Sequence, residues 1–264
     1  MYAAGAPSYY IVVNVAALAA GSLAAWLIRR IPVHDRQSAG IFTVAVGLML
    51  LGIALLGPRV NGAARWIRIA GISLQPSLML LPPAMVVYAR NRTWLSSLGL
   101  IFAALALALQ PDRAMAGTLA AALAVLWLYR RDPLVAISLA AASCAFAATL
   151  VRSDDVPPAP FVEQVVQSAF AFDTLAGLAI VVALIAMLIP AIVGAVTRKE
   201  AVAEFVVFGV MWLVMIGFAV AGNFPTPLAG YGTSGIVGYC LSAALLERRP
   251  APRRPTRTVP HPPL

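Results

Sequence analysis

Charged residues are scarce in this chain, and their scarcity excludes most soluble folds. Only 11% of the 264 residues are Asp, Glu, Lys or Arg, while 61% are hydrophobic. A soluble globular domain has about 25% charged and about 45–50% apolar residues. We therefore expect an integral membrane protein, in which apolar spans of about 20 residues each fill most of the chain. Little length is left for a large soluble catalytic domain.

Cysteine and histidine are also nearly absent. Cys144 and Cys240 are the two cysteines, and both lie within apolar runs, which excludes a disulfide scaffold. The two histidines, His34 and His261, lie in a polar loop and in the tail, away from both cysteines, which disfavours a redox or metal role. No cofactor is assigned with certainty, and a divalent cation is left open. The net charge of +9 is more typical of cytoplasmic loops than of nucleic-acid binding, so no nucleic-acid partner is expected.

Nine apolar runs predict an all-α polytopic transmembrane helix bundle. Continuous runs, rather than alternating segments of about 10 residues, favour helices over a barrel. The helices are expected to form one transmembrane domain over residues 1–247, with its longest outside loop at 152–172 and a disordered Pro/Arg-rich tail at 248–264. The predicted spans are 9–28, 39–57, 76–90, 94–110, 114–129, 133–151, 173–196, 201–222 and 232–247.

The distribution of basic residues predicts the orientation. Alternate connections divide the 19 Lys and Arg into one set of 14 and another of 5. The positive-inside rule places the larger set in the cytoplasm, which puts the N-terminus outside and the C-terminus inside. Residues 1–10 have no basic n-region, so we expect an uncleaved N-terminal anchor rather than a signal peptide.

Three arginines stand in a predicted outside loop, where arginine is otherwise scarce. Arg59, Arg65 and Arg68 lie in the segment 57–77, together with Trp66 at interfacial depth. Binding of a phosphate group and anchoring to lipid headgroups both remain open as explanations. A further outside stretch, 223–235, is rich in Gly and Pro, and irregular backbone at membrane depth is expected to be buried or to line a cavity.

Carboxylates on the same side are the other candidates for chemistry. Asp112 either pairs with its neighbour Arg113 or contacts a ligand. In the outside loop, Glu163 is predicted to share one face of a short helix with Gln164 and Gln167. Asp173 begins a long uncharged run, so it is either a functional ionisable group at the membrane boundary or the N-cap of a helix.

Four segments resemble, in order, the signatures of the SEDS family, the FtsW/RodA/SpoVE proteins of cell division, elongation and sporulation. Asn61-Gly-Ala-Ala-Arg-Trp-Ile67 with Gln75-Pro-Ser77 resembles NGA-x-RWI…QPSE. Gln110-Pro-Asp112 with Gly117-Thr118 is similar to PDxGT. Pro227-Leu-Ala-Gly-Tyr-Gly-Thr-Ser-Gly235 is similar to PFISYGGSS, and Val165-Val-Gln-Ser168 to VQS. Family members have ten spans with both ends inside, which is the predicted plan with one additional first helix.

The resemblance implies a peptidoglycan glycosyltransferase that polymerises lipid II at the outer leaflet of the bacterial inner membrane, in cell division or cell-shape maintenance. Asp173 in Ala171-Phe-Asp-Thr174 matches the family's His-Thr-Asp-Phe and is expected to be the catalytic general base. A polyprenyl-pyrophosphate-linked glycan and a class B penicillin-binding transpeptidase are the implied partners. The expected substrate-binding residues are Arg65, Arg59, Arg68, Asn61, Gln75, Ser77, Asp112, Gln167, Tyr231 and Ser234.

Several polar positions of the family pattern are apolar here. Leu78 replaces the Glu of QPSE, Leu81 replaces the Lys three residues later, and Val181-Val182 replaces a Glu pair. The outside loop is shorter and no His precedes Asp173. Either a different substrate is handled, or catalysis has been lost. The alternative function is therefore a non-catalytic scaffold or a protein that binds or transports a lipid-linked precursor.

Overall fold

A computed structural model describes residues 5–30, 35–60, 62–69, 71–152, 159–222, 224–230 and 232–246. These residues form an all-α bundle of eleven helices with one two-stranded antiparallel hairpin, in which Ile67 lies opposite Leu74. The elements are α1 (Tyr9–Ile28), α2 (Arg36–Leu56), β1 (Ile67–Ile69), β2 (Ile72–Leu74), α3 (Pro76–Arg90), α4 (Trp94–Leu109), α5 (Arg113–Arg130), α6 (Pro133–Leu150), α7 (Val165–Phe172), α8 (Thr174–Ala186), α9 (Ile189–Thr197), α10 (Val202–Ala221) and α11 (Thr233–Leu246).

Polar residues between the apolar runs determine where several helices begin. Asp35 accepts from the Ser38 backbone N–H at 2.8 Å, and the Asp132 carboxylate accepts from that of Leu134 at 2.9 Å. The Ser38 hydroxyl and N–H hold the pKa of Asp35 below its ordinary value. Thr93 and Ser96 form a reciprocal capping box at the start of α4. Such caps satisfy N–H groups that a helix cannot pair internally, so the few polar residues define the helix boundaries.

Five helical segments are long and apolar enough to cross a membrane, among the residues that the structure describes. They are Tyr9–Ile28, Arg36–Leu56, Pro133–Leu150, Thr174–Thr197 and Lys199–Ala221. Helices α4 and α11 are also apolar but shorter. The expectation of an all-α, multi-pass membrane protein is confirmed.

One predicted span, 173–196, consists of two helices. The break lies at Met187 and Leu188, directly before Pro190, which lacks a backbone donor and occupies the first turn of α9. The Tyr239 hydroxyl donates a hydrogen bond to the Met187 carbonyl oxygen at 3.0 Å. This contact satisfies backbone that the break leaves unpaired, as an apolar environment requires.

Helix α3 is the centre of the bundle. It packs against α2, α5, α10 and α11, and Leu81, Met85 and Tyr88 on it are fully buried. Pro82 and Pro83 interrupt its hydrogen-bond ladder, which is tolerated because surrounding helices shield the backbone. The peripheral helices α1 and α8, by contrast, keep many large apolar side chains exposed, as lipid-facing helices do.

Two ion pairs lie at the end of the bundle where α3 ends. Arg90 Nε donates to Glu204 Oε2 at 2.9 Å, and Arg90 Nη2 also donates to the Leu245 carbonyl oxygen at 2.7 Å. Arg92 pairs with Asp132 at 3.2 Å. The Arg90 contacts tie together the end of α3, the start of α10 and the end of α11.

The prediction that Glu163 shares a helix face with Gln164 and Gln167 is wrong. Helix α7 begins at Val165, after Gln164 adopts a left-handed backbone conformation with φ of 54°. Glu163 therefore precedes the helix, and its backbone forms an isolated bridge with Pro225 instead.

Candidate functional site

A cavity of about 410 Å³ lies at the end of the bundle where α3 and α11 begin. Its wall is formed by the start of α1, the β-hairpin, the segment before α7 and the segment before α11. This volume is within the range of small-molecule binding sites. The polar lining residues are Tyr10, Trp66, Arg68, Ser73, Gln75, Glu163, Thr226, Thr233 and Ser234.

Four buried polar side chains, two of them in the cavity lining, connect three of the motif segments. Gln75 Nε2 donates to Asp112 Oδ2 at 2.9 Å and to Ser77 Oγ at 3.3 Å. Ser77 Oγ donates to the same Asp112 oxygen at 3.2 Å, and the Gln75 backbone N–H donates to Ser234 Oγ at 2.8 Å. Each of the four side chains belongs to a residue at most 7% exposed. The structure thus brings together four of the residues expected from the sequence: Gln75, Ser77, Asp112 and Ser234.

Asp112 serves this network and also caps a helix. Its Oδ1 accepts from the Met115 backbone N–H at 3.2 Å, at the start of α5. Arg113 instead donates to the backbone oxygens of Thr149 at 3.3 Å and Arg152 at 3.4 Å. Asp112 and Arg113 therefore have different partners, and the Asp112 carboxylate links the start of α3 to the start of α5.

The three predicted arginines occupy different environments. Arg65 is buried, and its guanidinium donates from Nε to the Gln110 carbonyl oxygen at 3.0 Å and from Nη2 to that of Pro111. Arg68 is exposed and lines the cavity, whereas Arg59 is exposed and is not among the lining residues. These contacts make Arg65 a clamp on the backbone before α5, and Arg68 the arginine placed to meet a ligand.

Glu163 is a site residue whose role the sequence pattern did not reveal. It is 7% exposed and lines the 410 Å³ cavity and a smaller cavity beside Arg65 and Asp112. Its Oε2 accepts from the Ala159 backbone N–H at 3.1 Å. The composition of the loop gave no signal for this placement, because it depends on pairing with the distant segment around Pro225.

Two further cavity-lining residues, both threonines, were not predicted from the sequence. Thr226 and Thr233 line the cavity, and their hydroxyl oxygens are buried with no hydrogen-bond partner among the described residues; Gln75 Oε1 has the same property. Buried oxygens without partners are costly. A ligand that supplies hydroxyl or amide N–H donors would relieve this cost.

Asp173 lies outside the cavity lining. It is exposed, and its Oδ1 accepts from the Ala176 backbone N–H at 3.0 Å as the N-cap of α8. Asp173 therefore has the geometry of a helix N-cap, one of the two interpretations that its sequence position allowed. Gln167 is likewise directed elsewhere, since its Nε2 donates to the Val220 carbonyl oxygen at 2.7 Å near the end of α10.

The apolar replacements of the family's polar residues are found in three environments. Leu78 lines the cavity, Leu81 is fully buried in the core, and Val182 is 65% exposed on the outer surface of α8. The leucine at 78 therefore gives the cavity an apolar patch beside Gln75.

Two of the expected substrate-binding residues are not among those that the structure describes. Asn61 and Tyr231 fall outside the described residues, as does the predicted tail at 248–264. Within the described ranges, no group of three or more His, Cys, Asp or Glu side chains is arranged to hold a metal ion.

A model of the FtsW/RodA/SpoVE cell cycle proteins matches residues 2–166 of this chain. The chain belongs to the FtsW/RodA/SpoVE family. The family expectation from the sequence is confirmed, and this family member places the NGAARWI, QPS, PD and Gly/Pro-rich segments around or beneath one cavity. Together with the apolar helices, membership makes it a multi-pass bacterial membrane protein.

Individual relatives match shorter stretches. The probable peptidoglycan glycosyltransferase FtsW of Acinetobacter baylyi is 32% identical over 73 residues, which cover 27% of this chain and 18% of that protein. The protein of the same name in Thiomonas intermedia is 30% identical over 92 residues, covering 33% of this chain and 22% of the relative. The chain thus spans about a fifth of the length of these relatives in the matched segments.

A solved structure extends the likeness over nearly the whole chain. The crystal structure of a mutant of the Thermus thermophilus rod shape determining protein RodA superimposes with a TM-score of 0.60 and 19% sequence identity. The match covers 92% of this chain and 88% of that protein. The two proteins therefore share a fold.

Proposed function

We propose that this protein is a peptidoglycan glycosyltransferase that polymerises lipid II at the outer leaflet of the bacterial inner membrane, in cell division or cell-shape maintenance. The observation that carries the proposal is the convergence of the family's motif segments on one polar cavity. Cavity residues Gln75, Thr226 and Thr233 have buried oxygens suited to the donors of a saccharide. Its relatives from Acinetobacter baylyi and Thiomonas intermedia are named probable peptidoglycan glycosyltransferases, which supports the same activity.

The same proposal includes nine spans, an outside N-terminus and an inside C-terminus. Among the described residues, leaving out the eight-residue helix α7 and counting α8 and α9 as one broken span gives nine. Tyr10 at the start of α1, Gln75 at the start of α3 and Ser234 at the start of α11 all line the cavity, so these helices begin on one side. The Arg90–Glu204 pair lies at the opposite end, which is the arginine-rich side in the topology.

The proposed reaction is a single displacement. A sugar hydroxyl attacks the anomeric carbon of lipid II, the bond from that carbon to the pyrophosphate oxygen breaks, and polyprenyl pyrophosphate leaves with the bonding electrons. The hydroxyl proton passes to a carboxylate, for which Asp173 is proposed because of its position in the family pattern. Arg68 at the cavity is proposed to stabilise the charge that develops on the pyrophosphate.

The test is polymer formation by the purified protein. The full-length protein in detergent is incubated with labelled lipid II and a divalent cation, with and without a class B penicillin-binding transpeptidase, and the products are resolved on a gel. We expect glycan polymer. A folded protein that binds lipid II without forming polymer under either condition would instead support the precursor-binding scaffold, which the apolar Leu78 in the cavity favours.

Replacing Arg68 by alanine is expected to lower the polymerisation rate about 100-fold, because one charge-assisted donor to the leaving group is lost. Arg59→Ala is the matched control, since Arg59 lies in the same loop, is exposed and is not among the cavity-lining residues. Initial rates at saturating lipid II measure the effect. Equal rates for Arg68→Ala and wild type would remove Arg68 from the mechanism.

Replacing Asp173 by asparagine is expected to lower the polymerisation rate by about 10²–10⁴-fold, the contribution of a general base. Asparagine caps a helix about as well as aspartate, so this variant removes the charge and preserves the cap of α8. Initial rates are compared with those of Asp173→Ala, which loses both. Full activity of the asparagine variant would restrict Asp173 to its capping role.

A further inference from the structure

Among the described residues that line the 410 Å³ cavity, Glu163 is the one acidic residue and Arg68 is the one basic residue. Glu163 is 7% exposed, so its carboxylate is largely removed from bulk solvent. Charged groups in such a site interact more strongly than in water. The described part of the cavity lining therefore presents one carboxylate and one guanidinium to a ligand.

The segment that carries Glu163 is held against the loop before α11. Glu163 forms a backbone bridge with Pro225, and the Thr226 N–H donates to the Val162 carbonyl oxygen at 2.9 Å. Gly230 has a φ of 76°, and a Cβ there would overlap the Phe161 carbonyl oxygen. The Ala159 N–H donates to Glu163 Oε2 at 3.1 Å and orients the carboxylate. The side chain is thus positioned before any ligand arrives.

The other two carboxylates of the motif segments are placed differently. Both oxygens of Asp112 accept hydrogen bonds, from Gln75 and Ser77 on one oxygen and from Met115 on the other. Asp173 is exposed and caps α8. Neither is among the residues that line the larger cavity. Of the three carboxylates, Glu163 is the one that a ligand in this cavity would touch.

We propose that Glu163 binds the saccharide of the lipid-linked substrate, by accepting hydrogen bonds from its hydroxyl groups, and so determines affinity for that saccharide. An ionised carboxylate has only acceptors, and its bonds to hydroxyls are charge-assisted and strong. The nearby hydroxyls of Ser73, Thr226 and Thr233 complete a lining suited to a polyhydroxylated ligand. The inference rests on the proposed function, and it assigns to Glu163 a binding role separate from proton transfer at Asp173.

Binding without turnover provides the decisive test. Trp66 lines the cavity, so lipid II binding to the full-length protein in detergent is measured by its fluorescence, with Trp66→Phe as the signal control. We expect Glu163→Gln to weaken lipid II binding about 10–100-fold, the effect of losing a hydrogen bond to a charged group. Glu200→Gln makes the same chemical change at an exposed residue four positions before Glu204, at the opposite end of the bundle, and is expected to bind like wild type.

Steady-state kinetics separate the binding role from a catalytic one. Glu163→Gln is expected to raise KM with little change in kcat, whereas Asp173→Asn is expected to lower kcat with little change in KM. Unchanged lipid II affinity in folded Glu163→Gln would overturn the inference, and so would a loss confined to kcat. Glu163→Asp, which keeps the charge on a shorter side chain, is expected to bind between wild type and Glu163→Gln and replaces that variant if it misfolds.

The outcomes also distinguish the inference from the proposed function. Lipid II binding that depends on Glu163, in a protein that forms no polymer, would support the binding role and overturn the polymerase. Polymer formation by a protein whose affinity for lipid II does not depend on Glu163 would support the polymerase and overturn the binding role of Glu163. Absence of lipid II binding by folded wild type would overturn both.

Discussion

Gly47→Ala is expected to destabilise the protein severely, by about 3 kcal/mol or more. A Cβ at position 47 in α2 would overlap the backbone carbonyl oxygen of Gly99 in α4, and a Cβ at Gly99 would in turn overlap the backbone of Thr43. Membrane helices use small residues for such close approach, because packing replaces the hydrophobic effect between them. Backbone cannot rotate away as a side chain can, so α2 and α4 would have to separate.

Gly52→Ala is the matched control, because it makes the same substitution in the same helix at a position with no neighbouring atom within 4 Å of the added Cβ. Alanine favours a helix over glycine, so this variant is expected to be at least as stable as wild type. The midpoint of thermal unfolding in detergent, followed by circular dichroism, measures both. Equal midpoints for the two variants would show that the close contact of α2 and α4 contributes no stability.

Glu204→Ala is expected to lower the free energy of unfolding by about 3 kcal/mol, at the lower end of the range for breaking a buried ion pair. The side chains of Arg90 and Glu204 are only 17% and 10% exposed, and removal of the carboxylate leaves a largely buried guanidinium without its counter-charge. The Leu245 carbonyl oxygen remains as a partner for Arg90, but a neutral acceptor offsets only part of this cost.

Glu200→Ala serves as the control for loss of charge, since Glu200 is exposed in the turn Lys199–Ala201. The double variant Arg90→Leu with Glu204→Leu is expected to recover most of the lost stability, because apolar replacement of a buried pair is often neutral. Unfolding midpoints of the single and double variants complete the cycle. Additive effects would mean that the pair has no net coupling.

Much of the site could be located from motif order alone. Gln75, Ser77, Asp112 and Ser234 were expected together because short signatures with a common order fall on one predicted membrane side, and the structure joins them by hydrogen bonds. The roles within the set were harder to assign. Arg65 lies inside the NGAARWI motif and Arg68 directly after it, and both were expected to bind substrate. Only the positions of the Gln110 and Pro111 carbonyl oxygens make Arg65 a backbone clamp.

Glu163 illustrates what local patterns omit. Its spacing from Gln164 and Gln167 matched a helix face, but Gln164 takes up a left-handed conformation and α7 begins one residue later. The bridge to Pro225, 62 positions along the chain, then turns Glu163 towards the cavity. No spacing rule within the loop encodes such a contact.

By itself, the sequence determined that this is a helical membrane protein, roughly where its helices begin and end, and which family it belongs to. These properties follow from hydropathy, from capping residues such as Asp35 and Asp132, and from short motifs, all of which act over a few neighbouring positions. Only the tertiary structure decided that α3 is central, that the span near 173–196 is broken, and that Glu163 rather than Asp173 lines the cavity. The physical reason is that these features depend on which distant backbone groups and side chains pack together, and such contacts leave no periodic signal in the chain.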